Sequence, residues 1–552
     1  MSGRLTLSWA NKDRALVSDG AGGYRWVDPD DPRAREVRLL EEVSRHGDGE
    51  NLLIRGDGLA AMRSLARIPE YARRYRGRVR LVYIDPPFNT GQAFEHYDDA
   101  LEHSVWLGMM RERLEAIREL LAPDGSVWVH LDDAEMAYCK VLMDEVFGRR
   151  NFVATVVWQK LYAPENRTDL SSMQDYLLVY ASDRAAWKSA RNLLDRSERQ
   201  TAQYRNPDDD PRGPWKGENF TGKAGPGRRA EQFYTIVSPA GRAFDPPPGR
   251  CWVYTRDRYQ ELLEDGRIWF GRDGTSGPSV KRFLDEVSSG VVPGTWWAFE
   301  DVGHNQEAKQ ALVAMFPGQT PFDTPKPERL LQRIVHIASN PGDIVLDAFA
   351  GSGTTAAVAH KMRRGWVAVE REESTVEAFT RPRLAKVVDG EDRGGITEAV
   401  GWIGGGGFRE LRVAPPTYRV VETAGFRALG LPAVDGATLA RSVAAQLGYE
   451  VEPDLAGGRD DGVPSIGSGG AAGWASQPFA GRKGRARLAV VAGVADESLV
   501  DGLLAGLDEG ETLTLATTMA APGTAQALRA RSRGSRLLLV PHDLFRSRGA
   551  VS

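Results

Sequence analysis

A carboxylate, two prolines and an aromatic ring stand in a row at Asp85-Pro86-Pro87-Phe88, directly after an apolar run at residues 81–84. The run predicts a buried parallel strand, and the prolines end it because they have no N–H to donate to a sheet. Open α/β sheets bind their ligands at the carboxyl ends of such strands. We therefore expect a carboxylate, rigid carbonyl groups and a stacking surface together at that edge.

These groups suit a base that carries an exocyclic amine, such as adenine or cytosine. The lone pair of that amine is conjugated with the ring, so the nitrogen is a poor nucleophile. Asp85 and a carbonyl, which we take to be that of Pro86, can accept the two amine protons and shift electron density onto the nitrogen. Phe88 can stack on an extruded base. The alternative is a strand-ending turn in which Phe88 belongs to the core and Asp85 caps the following loop.

A second candidate site combines a strand, a glycine-rich turn and a helix. The turn contains Gly351 and Gly353, which let a ligand approach the backbone closely, and a helix start offers unpaired N–H groups. Glu370 lies 19 positions after Gly351, the spacing expected of a carboxylate that binds ribose hydroxyls. The elements predicted around these residues are a strand at 344–346, a helix at 357–362 and a second strand at 366–369.

The same turn also fits a dinucleotide-binding pattern, Gly351-x-Gly353-x-x-Ala356, so a dinucleotide-dependent oxidoreductase is an alternative. The order of the chain favours a different fold. A dinucleotide-binding fold would continue with several strand–helix units, whereas residues 389–407 are charged and rich in glycine. The remaining strands must come from upstream, including the strand that ends at Asp85. We therefore predict a circularly permuted α/β fold with the catalytic half first and the cofactor half last.

This order of motifs resembles the β class of amino-group DNA methyltransferases, and within it the modification subunits of type III restriction systems and related adenine methyltransferases. The resemblance covers roughly residues 50–410. It implies a Rossmann-like methyltransferase fold, S-adenosylmethionine as cofactor, and N6 of adenine in duplex DNA as the methyl acceptor, with N4 of cytosine as the nearest variant. The phrases that carry it, besides the two motifs, lie at residues 51–57, 83–91, 106–114, 131–133, 303–305 and 324–327.

The resemblance also implies roles for individual residues. The target base would be held by Asp85, Pro86, Pro87 and Phe88. The methionine end of the cofactor would be surrounded by Asp347, Phe349, Gly351, Gly353 and Thr354, and the ribose hydroxyls would be bound by Glu370. Thr324 and Lys326 match a motif that closes over the cofactor in this class. A solvated lysine on a loop is the alternative for Lys326.

The middle of the chain carries a candidate DNA-binding surface. Between residues 221 and 258 there are seven Lys/Arg against three acidic residues, interleaved with aromatic rings. The segment lies where the β class inserts its target-recognition region, and arginine can read guanine edges while both cations contact phosphates. Alternatively the aromatics form the core of a small β-rich domain with a rim of solvated arginines. The expected DNA contacts are Arg228, Arg229, Arg242, Arg250 and Arg256.

Composition narrows the class of protein. The chain has 552 residues and a formal charge of −4, so DNA binding must depend on local basic surface instead of the overall charge. Two cysteines exclude a disulfide framework or a cysteine zinc site, and we expect no metal. With no signal peptide and no long apolar run, we expect a cytoplasmic protein that does not bind membranes. No phosphate-binding Gly-x-x-x-x-Gly-Lys-Ser/Thr loop occurs, so ATP hydrolysis and DNA cleavage would reside in a separate restriction or defence subunit.

The predicted organisation has five parts: an N-terminal arm at 1–50, the catalytic half at 51–190, a β-rich target-recognition region at 191–300, the cofactor-binding half at 301–400, and at 401–552 a linker with a small α/β docking module. The family suggests a homodimer. Three functions are compatible with these features. They are a DNA methyltransferase in a restriction-modification or phage-defence system, a DNA-recognition subunit without turnover, and a dinucleotide-dependent oxidoreductase.

Overall fold

A computed structural model describes residues 5–18, 23–89, 102–165, 169–223, 230–287, 290–320, 322–423, 426–431, 434–453 and 479–545. The chain divides into two compact units. One consists of Met1–Asn192 together with Gly294–Ser552, and the other is Leu193–Pro293. The first unit contains both motifs that predict a site.

The first unit is built around a ten-stranded sheet. In space the strands follow the order β7-β5-β6-β4-β3-β8-β9-β2-β10-β1, in which the six from β4 to β10 run parallel. Their bounds are β1 Leu40–Gly47, β2 Asn51–Arg55, β3 Val79–Ile84, β4 Leu121–Leu131, β5 Phe152–Gln159, β6 Gln174–Ala181, β7 Trp296–Trp297, β8 Ile344–Asp347, β9 Gly365–Glu370 and β10 Gly407–Val413.

The centre of the sheet joins distant parts of the sequence. β3, from the catalytic half, lies directly beside β8, from the cofactor half, and the two pair in parallel. β9 then connects β8 to β2, so the later half of the chain is inserted into the earlier half. The predicted circularly permuted, Rossmann-like α/β fold is therefore confirmed.

Helices cover the sheet, and their apolar positions form the core. Trp106, Met110, Leu114 and Ile117 recur at helical spacing and are all fully buried, whereas Leu121 of the same predicted stripe already begins β4. No helix in the described part of the chain has both the length and the apolar composition needed to cross a bilayer. Between residues 51 and 400, and apart from the unit Leu193–Pro293, the longer helices are α1 Gly58–Arg67, α2 Pro69–Tyr75, α3 His103–Leu120, α4 Met136–Met143, α5 Arg184–Ala190, α6 Asn305–Met315, α7 Glu328–Ala338, α8 Thr354–Lys361 and α9 Arg381–Val388.

Two predicted boundaries need correction. β1 lies in the segment predicted as an N-terminal arm, and β10 lies beyond the predicted boundary at residue 400, yet both belong to the main sheet. The same segment also forms a hairpin of Ala15–Ser18 with Tyr24–Val27 and a short helix, Pro32–Arg35. The sequence gives little sign of β1, because an edge strand exposed to solvent has no run of apolar residues.

The C-terminal region contains a second sheet of five strands with three helices. The sequence predicts strands at residues 487–492, 512–517 and 537–540 separated by two helices, and the structure has strands and helices at these places. The strands are Glu450–Val451, Gly481–Lys483, Ala486–Ala495, Thr512–Ala520 and Arg536–Leu539, and the helices are Gly436–Leu447, Glu497–Ala505 and Thr524–Arg531. A separate hairpin joins Arg419–Thr423 and Phe426–Gly430. Most of the linker predicted at 453–484 lies outside the described residues.

The unit Leu193–Pro293 consists of short strands around an aromatic core. Phe220, Trp252 and Phe270 are buried there, and Tyr234 and Tyr254 pack against them. The aromatic rings are thus largely structural. The strands are Trp215–Asn219, Thr221–Lys223, Ile236–Val237, Ala243–Phe244, Arg250–Trp252, Ile268–Trp269 and Ser279–Phe283, with helices Glu198–Thr201 and Arg256–Glu264.

Candidate active site

One cavity of about 410 Å³ contains both predicted motifs. It lies where β3, β8 and β9 end, because parallel neighbours present their carboxyl ends at the same edge. All the predicted catalytic and cofactor-binding residues except Gly353 line it: Asp85, Pro86, Pro87, Phe88, Thr324, Lys326, Asp347, Phe349, Gly351, Thr354 and Glu370.

Asp85 has one oxygen in an ion pair and the other without a partner. Its Oδ2 accepts a hydrogen bond from the ammonium group of Lys326 at 2.5 Å. Its Oδ1 is buried and accepts no hydrogen bond within the described part of the chain. A buried acceptor without a donor is costly, so this atom is suited to a donor that a ligand brings.

Lys326 is not the solvated lysine that was the alternative for this residue. Its side chain is only 8% exposed, and its ammonium group lies 5.3 Å from the centre of the Phe88 ring as well as on Asp85. The predicted role was closure over the cofactor. That role stays a prediction, and the contacts join Lys326 to the carboxylate and the ring of the first motif.

The turn after Asp85 is held by a hydrogen bond from outside the motif. The indole N–H of Trp106, on α3, donates to the carbonyl of Pro87 at 2.7 Å. The ring of Phe88 packs against His130, with 5.7 Å between ring centres. His130 and the Trp106 hydrogen bond therefore help to fix the Phe88 ring, which lines the same cavity as Asp85.

The glycine-rich turn requires glycine at two positions. Gly351 and Gly353 have φ of +48° and +79°, a region that residues with a side chain rarely adopt. A Cβ atom on Gly351 would also lie 3.2 Å from the ring of Phe322, and one on Gly353 would lie 3.1 Å from Thr380. The hydroxyl of Thr380 donates to the carbonyl of Gly351 at 2.7 Å and so holds the turn in place.

Glu370 and Asp347 are the acidic residues nearest this turn. Glu370 ends β9, and its carboxylate accepts hydrogen bonds from the backbone N–H groups of Gly351 at 2.7 Å and Glu372 at 2.9 Å. Burial raises the pKa of Glu370 above its usual value. Asp347 is buried at the end of β8 and accepts from the N–H of Phe349. Burial, together with the charges of Asp85 and Glu370, raises the pKa of Asp347 to about 7.

Replacing Asp347 by asparagine should stabilise the chain at alkaline pH. Its pKa is raised from 3.8 to about 7 in the fold, so the native state pays for ionising it as the pH rises between these values. The cost corresponds to at most about 4 kcal/mol and is absent below the unfolded pKa. Urea unfolding at about pH 8 should show Asp347→Asn to be more stable than the wild type, with a smaller difference at about pH 5. An equal difference at both pH values would contradict the raised pKa.

A buried charge cluster supports the helices behind the turn. The ammonium group of Lys361 contacts Glu328 at 2.8 Å and Asp392 at 2.6 Å. Arg383 donates to Glu328 and also to the hydroxyl of Thr354, at 2.9 and 2.8 Å. Thr354, a predicted cofactor-binding residue, is therefore held at the start of α8 by α9.

Removal of one charge from this cluster should be strongly destabilising. Lys361 is fully buried, so Lys361→Met leaves two buried carboxylates without their shared cation, at a cost of roughly 3–5 kcal/mol. Lys386→Met is the matched control, because its pair with Glu391 is exposed and contributes less than about 1 kcal/mol. Urea unfolding of both variants measures the difference, and similar losses would show that the cluster does not act as a buried network.

Several residues of the cavity were not predicted as site residues. Arg113 donates to Asp57 at 2.5 Å and lies 5.6 Å from the centre of the Phe349 ring. Arg371 donates to the hydroxyl of Tyr24, which comes from the N-terminal hairpin. Asp57 and Arg113 belong to two of the phrases that carried the family resemblance, and that was the only signal for them. Nothing in the local sequence singles out Tyr24.

The predicted DNA-binding arginines lie in the second unit or outside the described residues. Arg228 and Arg229 fall outside them. Arg250 donates to the hydroxyl and the carbonyl of Thr221, both at 2.7 Å, and so joins two strands of its own unit. Arg242 and Arg256 are exposed. DNA binding by these residues stays a prediction.

The chain was compared with known proteins. A DNA methylase family model matches residues 79–381. The probable type III restriction-modification enzyme HindVI Mod subunit of Haemophilus influenzae is 32% identical over 68% of this chain and 56% of its own length. The StyLTI Mod subunit of Salmonella typhimurium is 32% identical over 63% and 55%. The chain thus spans little more than half the length of these relatives.

Two further proteins extend the comparison. The type II methyltransferase M.EcaI of Enterobacter cloacae is 30% identical over 53% of this chain and 62% of its own length. A solved structure of a putative DNA modification methylase from Thermus thermophilus, complexed with S-adenosylmethionine, is 14% identical over 66% of this chain and all of its own. Its TM-score of 0.32 is too low to support a conclusion. The family match spans more than half of the chain and includes both motifs, so this chain belongs to the family of DNA methylases.

Proposed function

We propose that this chain transfers a methyl group from S-adenosylmethionine to N6 of adenine in duplex DNA, within a restriction-modification or phage-defence system. The observation that carries the proposal is the state of Asp85. One of its oxygens is paired with Lys326, the other is buried and without a partner among the described residues, and the ring of Phe88 lines the same cavity. That arrangement suits an amine donor on a flat base.

The base half of the cavity would act by accepting hydrogen bonds from the exocyclic amine. Asp85 Oδ1 would accept one amine hydrogen and the carbonyl of Pro86 the other, so that electron density moves onto the nitrogen as it becomes tetrahedral. Phe88 would stack on the base after it leaves the duplex. Lys326 would hold Asp85 through Oδ2 while leaving Oδ1 available. These acceptors are in place before the reaction, which saves the cost of reorganising them.

The other half of the cavity fits the cofactor. S-adenosylmethionine, when bound, supplies a methyl group on a positively charged sulfur. Glu370 would bind the ribose hydroxyls, and the absence of a side chain at Gly351 allows the ligand to approach the backbone. The carboxyl groups of Asp85, Asp347 and Glu370 suit a cationic sulfonium better than the anionic pyrophosphate of a dinucleotide, which disfavours the oxidoreductase alternative.

The test is to incubate the protein with methyl-labelled S-adenosylmethionine and unmethylated genomic DNA, and then to identify the labelled nucleoside. Label in N6-methyladenosine would support the proposal. Label in N4-methylcytosine would keep the mechanism and change the base. Cofactor binding without label in any DNA would favour a recognition subunit without turnover, and binding of NAD(P) unaffected by DNA would favour the oxidoreductase.

We also propose partners for the chain, since relatives carry the name of Mod subunits of type III enzymes. These are duplex DNA, a second copy of the chain, and a separate restriction or defence subunit with ATPase and nuclease activity. Arg242 and Arg256 would contribute to DNA binding from the region predicted to recognise the target. Binding should then weaken steeply with salt, and light scattering would report whether the protein is a dimer.

The C-terminal region would serve as the docking module. β10 belongs to the main sheet, so the deletion that tests this proposal should remove only residues after 431. The truncated chain should keep cofactor binding but lose partner binding or dimerisation. Retention of both partner binding and dimerisation would exclude a docking role.

A further inference from the structure

A chain of polar side chains lies behind Phe88 and crosses four neighbouring strands. His130, on β4, has Nδ1 at 2.8 Å from the hydroxyl of Tyr83 on β3, and Nε2 at 3.3 Å from Oδ2 of Asp175 on β6. Oδ1 of Asp175 accepts a hydrogen bond at 2.6 Å from Lys160, directly after β5. Both ring nitrogens of His130 are thus engaged, so the plane of its imidazole is fixed.

Aromatic rings surround the same imidazole. The ring of Phe88 lies over it at 5.7 Å between centres and an angle of 35°. Trp158 meets it edge-on at 5.3 Å. The cavity is lined by Tyr83, Lys160 and Asp175 as well as by Phe88, but not by His130, which is fully buried behind them. His130 therefore reaches the cavity only through the rings and side chains that it supports.

Packing alone does not require this set of residues. An apolar side chain at position 130 could fill the space between Trp158 and Phe88 without hydrogen-bond partners, whereas a buried imidazole is costly unless both nitrogens are satisfied. Burial raises the pKa of Asp175, but hydrogen bonds and charge from His130 and Lys160 outweigh burial and hold it below the usual value. Asp175 is therefore ionised and orients the ring.

We propose that His130 is a positioning residue, and that the chain Tyr83–His130–Asp175–Lys160 fixes the ring of Phe88 at the angle needed to stack on the extruded base. This inference rests on the proposed function. The free energy that aromatic pairs of this kind contribute corresponds to at most about a tenfold change in rate. A Phe88 ring free to tilt would hold the base less well opposite Asp85.

The test is a double-mutant cycle on the full chain. Methyl transfer to unmethylated genomic DNA is measured at saturating S-adenosylmethionine for the wild type, His130→Asn, Phe88→Leu and the double variant. We expect His130→Asn to lower the rate about tenfold and to leave the dissociation constant of the cofactor within about twofold. In the Phe88→Leu background the same substitution should change the rate less than about twofold. Equal factors in both backgrounds would overturn the proposal.

Controls separate positioning from loss of structure. His360 is also buried, with Nδ1 and Nε2 each 2.9 Å from a partner, on Trp366 and Gly405, and it does not line the cavity. His360→Asn should lower stability without lowering the rate at saturating cofactor. If His130→Asn does not fold, Tyr83→Phe removes only the hydroxyl group and should show the same dependence on Phe88. A wild type that methylates no DNA would overturn the proposed function, whereas an active wild type with an additive cycle would overturn this inference alone.

Discussion

The Asp85→Ala variant is expected to transfer methyl groups at least about 10³ times more slowly than the wild type, with an affinity for S-adenosylmethionine that changes less than about twofold. The reason is that Oδ1 of Asp85 is a buried acceptor left without a partner among the described residues, whereas binding of the cofactor is the role proposed for Glu370. Single-turnover transfer of label to DNA and calorimetric titration of the cofactor measure the two quantities separately.

Two further variants show whether charge or position matters. Asp85→Asn keeps the size of the side chain and one carbonyl acceptor, so an equally inactive variant would assign the effect to the carboxylate charge. Asp183 is the matched control, because it only caps a helix by accepting from the N–H of Ala186. Asp183→Ala should cost about 1 kcal/mol of stability and leave the rate unchanged. Loss of cofactor affinity in Asp85→Ala would contradict the role in methyl transfer that is proposed for Asp85.

Glu370→Ala is expected to weaken cofactor binding by on the order of 10- to 100-fold, while the rate at saturating cofactor falls much less. Two effects add here. The carboxylate that would bind ribose hydroxyls is lost, and the N–H of Gly351 loses the acceptor that orients the turn. Titration of the cofactor, followed by transfer assays over a range of cofactor concentrations, gives both values.

The control for this variant is a glutamate close by in the sequence. Glu373 is 61% exposed, pairs with Arg55, and does not line the cavity. Glu373→Ala should therefore leave cofactor affinity within about twofold. A similar loss of cofactor affinity in both variants would point to a general effect of negative charge. Unchanged affinity in Glu370→Ala would exclude Glu370 from the cofactor site.

The parts of the site that could be predicted are those with a local signal. The apolar run before Asp85 and the prolines after it define the end of β3 without any structure. The sequence predicts a helix at residues 328–338, directly after Thr324-Pro-Lys-Pro327, and α7 has these bounds. The order of the motifs predicted that β3 and β8 belong to one sheet, and the structure adds that they are neighbours in it.

The parts that could not be predicted depend on contacts between distant residues. Lys326 and Asp85 are 241 residues apart, so no spacing indicates that the two side chains pair. Arg250 lies in a basic segment, and nothing in that segment indicates that its guanidinium donates to Thr221. Tyr24 reaches the cavity from a hairpin near the start of the chain, and only the folded sheet brings it there.

The neighbours at the middle of the sheet also determine when the cavity can form. β3 ends at Ile84, and β8, which covers its edge, begins at Ile344. During synthesis one edge of β3 therefore stays unpaired until some 260 further residues have been made. In the same way, β2 can pair only after β9 and β10 have been made. Such high contact order slows folding and exposes the chain to aggregation. The motif at Asp85 is thus synthesised long before β8, its neighbour in the sheet.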